Sequence, residues 1–130
     1  MKKTGFIILG LIIIISVVLI IVYLPKKDIT DLNEAEKNQK FNRVLTEEEQ
    51  ETVNKETFTK ETLKKFDGKN GNNSYIAING IVYDVSNLKE WESGNHKNTT
   101  TGIDLTKNFI NSDHMNETLS KLKIVGKYEE

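Results

Sequence analysis

Hydrophobic positions fall into three textures along the chain. Residues 5–24 read GFIILGLIIIISVVLIIVYL, carry no charge, and are bracketed by Lys2-Lys3 and Lys26-Lys27. A helix of that length spans roughly 30 Å, the thickness of a bilayer's hydrocarbon core. A cleaved export signal has a shorter apolar core, about 7–15 residues, and ends at a small-x-small site. The run here ends Ile21-Val22-Tyr23-Leu24-Pro25 instead. The pattern predicts one uncleaved transmembrane helix within an anchor over residues 1–27, with Tyr23 at the interface. Lysine pairs on both sides nearly balance the positive-inside rule. The free amino group tips it toward N-terminus inside, with the soluble part extracellular and the protein single-pass in the cell membrane.

Residues 28–57 are charged, free of Gly and Pro, and only thinly apolar. Such a segment buries too little surface to be a domain alone, and it lacks the heptads of a pairing stalk. It reads as a linker or stalk: a disordered or intermittently helical tether. Thr46 followed by Glu49 offers one capping box within it.

From Phe58 the texture changes again. Phe58, Leu63 and Phe66 suit a short helix capped by Thr59 and ended by Asp67-Gly68. Two β-rich runs, 74–78 and 81–85, are joined by Asn79-Gly80, the strongest short-range hairpin signal. Alternation sets Tyr75 and Ala77 on one face and Ile76 and Ile78 on the other. A helix capped by Asp104, with Leu105 and Phe109 one turn apart, is expected next. Another helix over 116–122 and a closing strand over 122–126 complete a small α+β domain, residues 58–130. A domain this small is marginal, and commonly gains stability from a bound metal or cofactor.

Composition narrows the chemistry. The formal net charge of −1 is uneven: residues 1–27 hold four lysines and no acid, leaving 14 basic and 19 acidic residues beyond. An acidic soluble part argues against nucleic acid as a partner, which needs a basic footprint. The lysine pairs flank the apolar run and belong to a membrane surface. No cysteine is present, which excludes disulfides, thiolate-held iron–sulfur clusters and covalent c-type haem. No paired carboxylates, nucleophile–base pair or phosphate loop stands out, so the chain is not read as an enzyme.

The only histidines, His96 and His114, lie in one stretch eighteen residues apart. Two ligands are too few for a closed structural zinc site, which takes four. They are the right number to hold the iron of a planar macrocycle from two sides, because the porphyrin supplies the other nitrogens. The competing reading is a pair of solvated or hydrogen-bonded histidines with no ligand role. Trp91 is expected to be a core residue packing near the loop of His96.

The order of these features resembles the cytochrome b5-like haem/steroid-binding domain in a short bacterial, membrane-anchored form. The resemblance rests on Phe58-Thr59, Leu63, Phe66-Asp67-Gly68, then Tyr75 through Ser86 with its Asn79-Gly80 and Val82-Tyr83-Asp84-Val85-Ser86. It continues through Trp91, Gly94-Asn95-His96, Gly102-Ile103-Asp104-Leu105-Thr106, Phe109 and His114 to Leu122-Lys123-Ile124-Val125-Gly126. The family implies a β-sheet platform from which short helices rise to form a haem cleft. His96 and His114 would be the axial ligands of non-covalent haem b. Gly102, Asp104 and Thr106 would shape the loop and helix start between them, and Leu105 and Phe109 would wall the cleft or fill the core behind it. Two positions depart from the family: Lys97-Asn98-Thr99 stands where glycine often follows the first histidine, and Asp113 replaces the usual Gly or Pro before the second.

The resemblance therefore implies a membrane-tethered, bis-histidine b-type haem protein carrying single electrons. Its partners would be haem, the bilayer through residues 5–24, and a redox protein steered by Glu90, Glu92, Asp104 and Asp113. The alternatives are a haem-free module of the same fold, binding a lipid, a steroid-like molecule or a protein, and a protein that captures exchangeable haem.

Overall fold

The computed structural model describes residues 28–130. Residues 1–27, with the expected anchor, lie outside them; among the described residues no helix is long and apolar enough to cross a membrane. The strands in chain order are β1 (Thr57–Phe58), β2 (Tyr75–Ile78), β3 (Ile81–Asp84), β4 (Asn95–His96), β5 (Thr99–Thr100), β6 (Ile103–Asp104) and β7 (Lys123–Tyr128). Five of them form one sheet in the order β1-β7-β3-β2-β6, and β4 and β5 pair as a separate hairpin. The outer pairs, β1 with β7 and β2 with β6, are parallel; the inner pairs are antiparallel. Asn79 and Gly80 both take positive φ, 50° and 78°, as the expected tight turn between β2 and β3 demands.

The period-2 pattern of β2 divides two cores as the sequence predicts. Ile76 and Ile78 face a larger cluster with Tyr83, Leu105, Phe109 and Leu119. Ala77 faces the opposite side with Phe58, Leu63 and Val82. On that second side Phe66 stacks on Tyr75 at 4.4 Å, and Phe58 meets both rings edge-on. This face is closed. The first face opens into a cleft.

Five helices surround the sheet: α1 (Glu34–Phe41), α2 (Glu47–Lys55), α3 (Lys60–Leu63), α4 (Thr106–Ile110) and α5 (Asn116–Ser120). Thr46 caps α2 and Glu49 reaches back to it, and Thr59 caps α3, both as expected. Residues 28–57 correct the reading of a free tether. Helix α2 packs along β7, and Leu32 is buried, with Phe41, Leu45 and Val53 against the main core. Two cations fix the segment. Arg43 donates to the carbonyls of Leu119 and Leu122 at 2.7 and 3.1 Å and pairs with Glu49. Lys40 reaches carbonyls beyond α4. Charged residues that look solvated in the sequence bond backbone carbonyls at and just beyond helix ends here. Arg43 also lies over the Tyr83 ring at 5.6 Å. Burial pushes the Tyr83 phenol up, against the opposing pull of Arg43.

Candidate cofactor-binding cleft

On the open face of the sheet is a cleft of about 530 Å³, within the range of small-molecule sites. Its lining includes Ile76 and Ile78 from β2, Leu105 and Phe109 from the α4 region, and Leu119 from α5. All five are buried, so the floor is hydrocarbon. Polar side chains such as Glu90, Lys97, Asn98 and Lys121 also line it, and His96 and His114 are both among the lining residues. Among the described residues no group of three or more His, Cys, Asp or Glu can hold a bare metal ion.

His96 ends β4, and the hairpin fixes it: it pairs with Thr99, whose hydroxyl donates to its carbonyl at 2.8 Å. Its Nδ1 lies 3.0 Å from the Glu90 carbonyl oxygen. That oxygen can only accept, so Nδ1 carries the hydrogen in this bond and Nε2 keeps its lone pair. This is how a backbone carbonyl selects the tautomer of a metal-ligating imidazole. The Trp91 ring lies 4.9 Å from the imidazole, tilted by 31°, which meets the expectation that Trp91 packs near this loop. Lys97, which follows His96, adopts φ 50°, a left-handed backbone conformation reached without a glycine.

His114 sits in the turn between α4 and α5. Its N–H donates to Ser112 Oγ at 3.2 Å, and its carbonyl accepts from Lys40 Nζ at 2.7 Å. Its ring lies nearly parallel to Phe109, 6.2 Å between centroids. The residue is exposed overall, whereas His96 is half-buried. Neighbouring Met115 is 40 % exposed and is absent from the cleft lining.

The six residues singled out from the sequence divide. His96, His114, Leu105 and Phe109 meet at the cleft, but Gly102 and Asp104 do not line it. Gly102 donates its N–H to the Tyr75 carbonyl at 2.7 Å with φ +81°, and a Cβ there would stand 3.3 Å from Lys64 Cα. Its role is close passage of backbone behind α3. Asp104 is not the N-cap of α4; Leu105 occupies that position without a side-chain cap. The Asp104 carboxylate accepts instead from Thr106 N–H and Oγ–H at 2.8 and 2.6 Å. Thr106 Oγ in turn accepts from the Asn79 N–H at 2.8 Å. The triad ties the start of α4 to the β2–β3 turn. Thr106→Val, which keeps the shape and removes the hydroxyl, is expected to cost about 1–3 kcal/mol, read as a lowered urea midpoint of the full chain.

Sequence reasoning missed the Glu90 carbonyl and Lys40. A main-chain acceptor has no sequence signature, and a lone lysine in a charged segment gives none either.

Comparison with known proteins adds to this geometry. Residues 59–129 match the family model described as "Cytochrome b5-like Heme/Steroid binding domain". A search of curated proteins gives no significant match. Solved structures similar to this chain include two cytochrome b5 domain proteins. A cytochrome b5 domain protein of Hadesarchaea is 39 % identical with a TM-score of 0.54, covering 57 % of this chain and 99 % of its own. One from Methanococcoides burtonii is 38 % identical with a TM-score of 0.55, covering 58 % and 99 %.

Proposed function

The chain belongs to the cytochrome b5-like haem/steroid-binding domain family, and from that premise we propose that it binds non-covalent haem b through His96 and His114 and carries single electrons. One observation supports this above the rest: the chain's only two histidines line a single apolar cleft, one with its tautomer set by a carbonyl. The donor set fits the group. Two neutral imidazoles complete an iron that a porphyrin already holds by four nitrogens, and the buried floor of the cleft accepts a flat apolar ring. Haem would supply a one-electron change of oxidation state. His96 and His114 would be the residues that hold its iron, which suits a carrier of electrons and not a catalyst. Ile76, Leu105 and Phe109 would exclude water from the ring.

Residues 5–24 would tether the domain to the cell membrane with residues 28–130 outside the cell. Exposed Glu90, Glu92 and Asp113 would meet a basic redox partner.

Titration of the purified full chain with haemin tests the reading. One equivalent is expected to give a six-coordinate low-spin spectrum whose Soret band sharpens on reduction with dithionite. A chain that stays colourless at micromolar haemin, or that takes up a steroid-like ligand in its place, overturns it.

A further inference from the structure

Helix α1 lies outside the residues that match the family model, yet one of its side chains reaches the loop that carries His114. Lys40 is 8 % exposed. Its ammonium donates to three backbone carbonyls: Ser112 at 2.5 Å, His114 at 2.7 Å and, more weakly, Phe109 at 3.4 Å. Among the described residues no carboxylate forms an ion pair with it; its Nζ also lies over the Phe109 ring, 5.6 Å from the centroid. A buried ammonium has three hydrogens to satisfy, and three carbonyl dipoles satisfy them. The carbonyls belong to the last turn of α4 and the segment after it, where a cation is favourable.

The same loop is fastened from within. Ser112 Oγ donates to the Phe109 carbonyl at 2.7 Å and accepts the His114 N–H at 3.2 Å. The backbone of His114 is therefore held on both sides, by Ser112 at its nitrogen and by Lys40 at its oxygen. Because the ring makes no hydrogen bond among the described residues, unlike that of His96, its aim depends on that backbone.

We propose that Lys40 is the positioning residue for His114: the helix preceding the family domain completes the cofactor site by caging the carbonyls of the second ligand loop. The inference rests on the haem reading. It differs from a general packing role, because the contact is made to the ligand residue itself.

The test compares full-chain wild type with Lys40→Met, which keeps the apolar stem and removes the ammonium. Val53→Ala serves as comparator, since Val53 packs against the core from α2. Lys40→Met is expected to retain the far-UV circular dichroism of wild type. With haemin it should show a mixture of high-spin and low-spin ferric signals, and haem loss to an acceptor globin about 10–100-fold faster. Before haemin is added, its His114 amide should exchange faster with deuterium. Lys40→Gln, which keeps a donor in the cage, should fall between and covers the case in which the Met variant misfolds. Val53→Ala should lower the melting temperature and leave the spectrum low-spin. A low-spin Lys40→Met with wild-type haem loss overturns the inference and leaves the haem reading standing; so does a Val53→Ala that reproduces the mixed spectrum. A wild-type chain that takes up no haemin overturns both.

Discussion

His96→Ala in the full chain is expected to abolish the low-spin haem spectrum, and His114→Ala to do the same with a milder loss of affinity. On the proposed ligation, either change would leave a single imidazole to hold the iron, and the spectrum would turn high-spin. The loss of affinity should exceed the about 10–100-fold typical of altering a residue that merely supports a ligand. The asymmetry comes from how each ring is held. His96 is half-buried beside Trp91, and its Nδ1 is committed to the Glu90 carbonyl. Its ring is preorganised. His114 is exposed, and only its backbone is fastened. Haemin titration followed by electron paramagnetic resonance checks both. A single mutant that keeps the wild-type low-spin signal removes that residue from the ligand set.

Gly94→Ala is expected to be the most damaging single change to stability. Gly94 has φ +72°, and a Cβ there would stand 1.9 Å from the Asp67 carbonyl oxygen and 2.8 Å from Thr101 Oγ1. The first obstacle is backbone and cannot rotate away. Two costs add: about 1–3 kcal/mol for a side chain in left-handed backbone and about 1–3 kcal/mol for forced overpacking. A loss of about 2–6 kcal/mol follows, a large share of a small domain's usual stability of about 5–15 kcal/mol. The position also bears on the cleft. Gly94 precedes the β4–β5 hairpin, and its carbonyl accepts the Thr101 N–H at 2.9 Å. Pushing it off Asp67 shifts the strand that presents His96. Urea unfolding of the full chain, with and without haemin, measures both effects. An unchanged midpoint would show that the 67–94 contact yields freely.

Local signals were legible where one residue type has one conformational use. Asn79-Gly80 made a turn, Thr46 with Glu49 made a cap, and the alternation of 75–78 separated the two cores. The cleft residues of greatest chemical interest, His96 and His114, were legible because the chain holds no other histidine. Residues whose task is set by distant backbone were not. Arg43 and Lys40 sit in a stretch whose composition matches a solvated tether, and their targets lie about seventy residues further on. Asp104 carries the right chemistry for a cap but stands one residue early, so Leu105 takes the position and Asp104 latches Thr106. Gly102 was legible as necessary, and the structure assigns it to backbone clearance behind α3.

The parallel pairing of Thr57 and Phe58 with Lys127 and Tyr128 has a consequence for how the chain acquires its shape. β1, α2 and Arg43 all dock on residues 119–128. During synthesis β1 and α2 therefore cannot complete their packing until that distant segment has left the ribosome. Closure must then span nearly the whole domain, and joining such remote partners carries a large loop entropy and slows the search. The hairpin 75–84 is the one part of the sheet able to form early from neighbours alone, so the nascent chain should wait as a hairpin with its apolar faces uncovered and become a domain in a single late step.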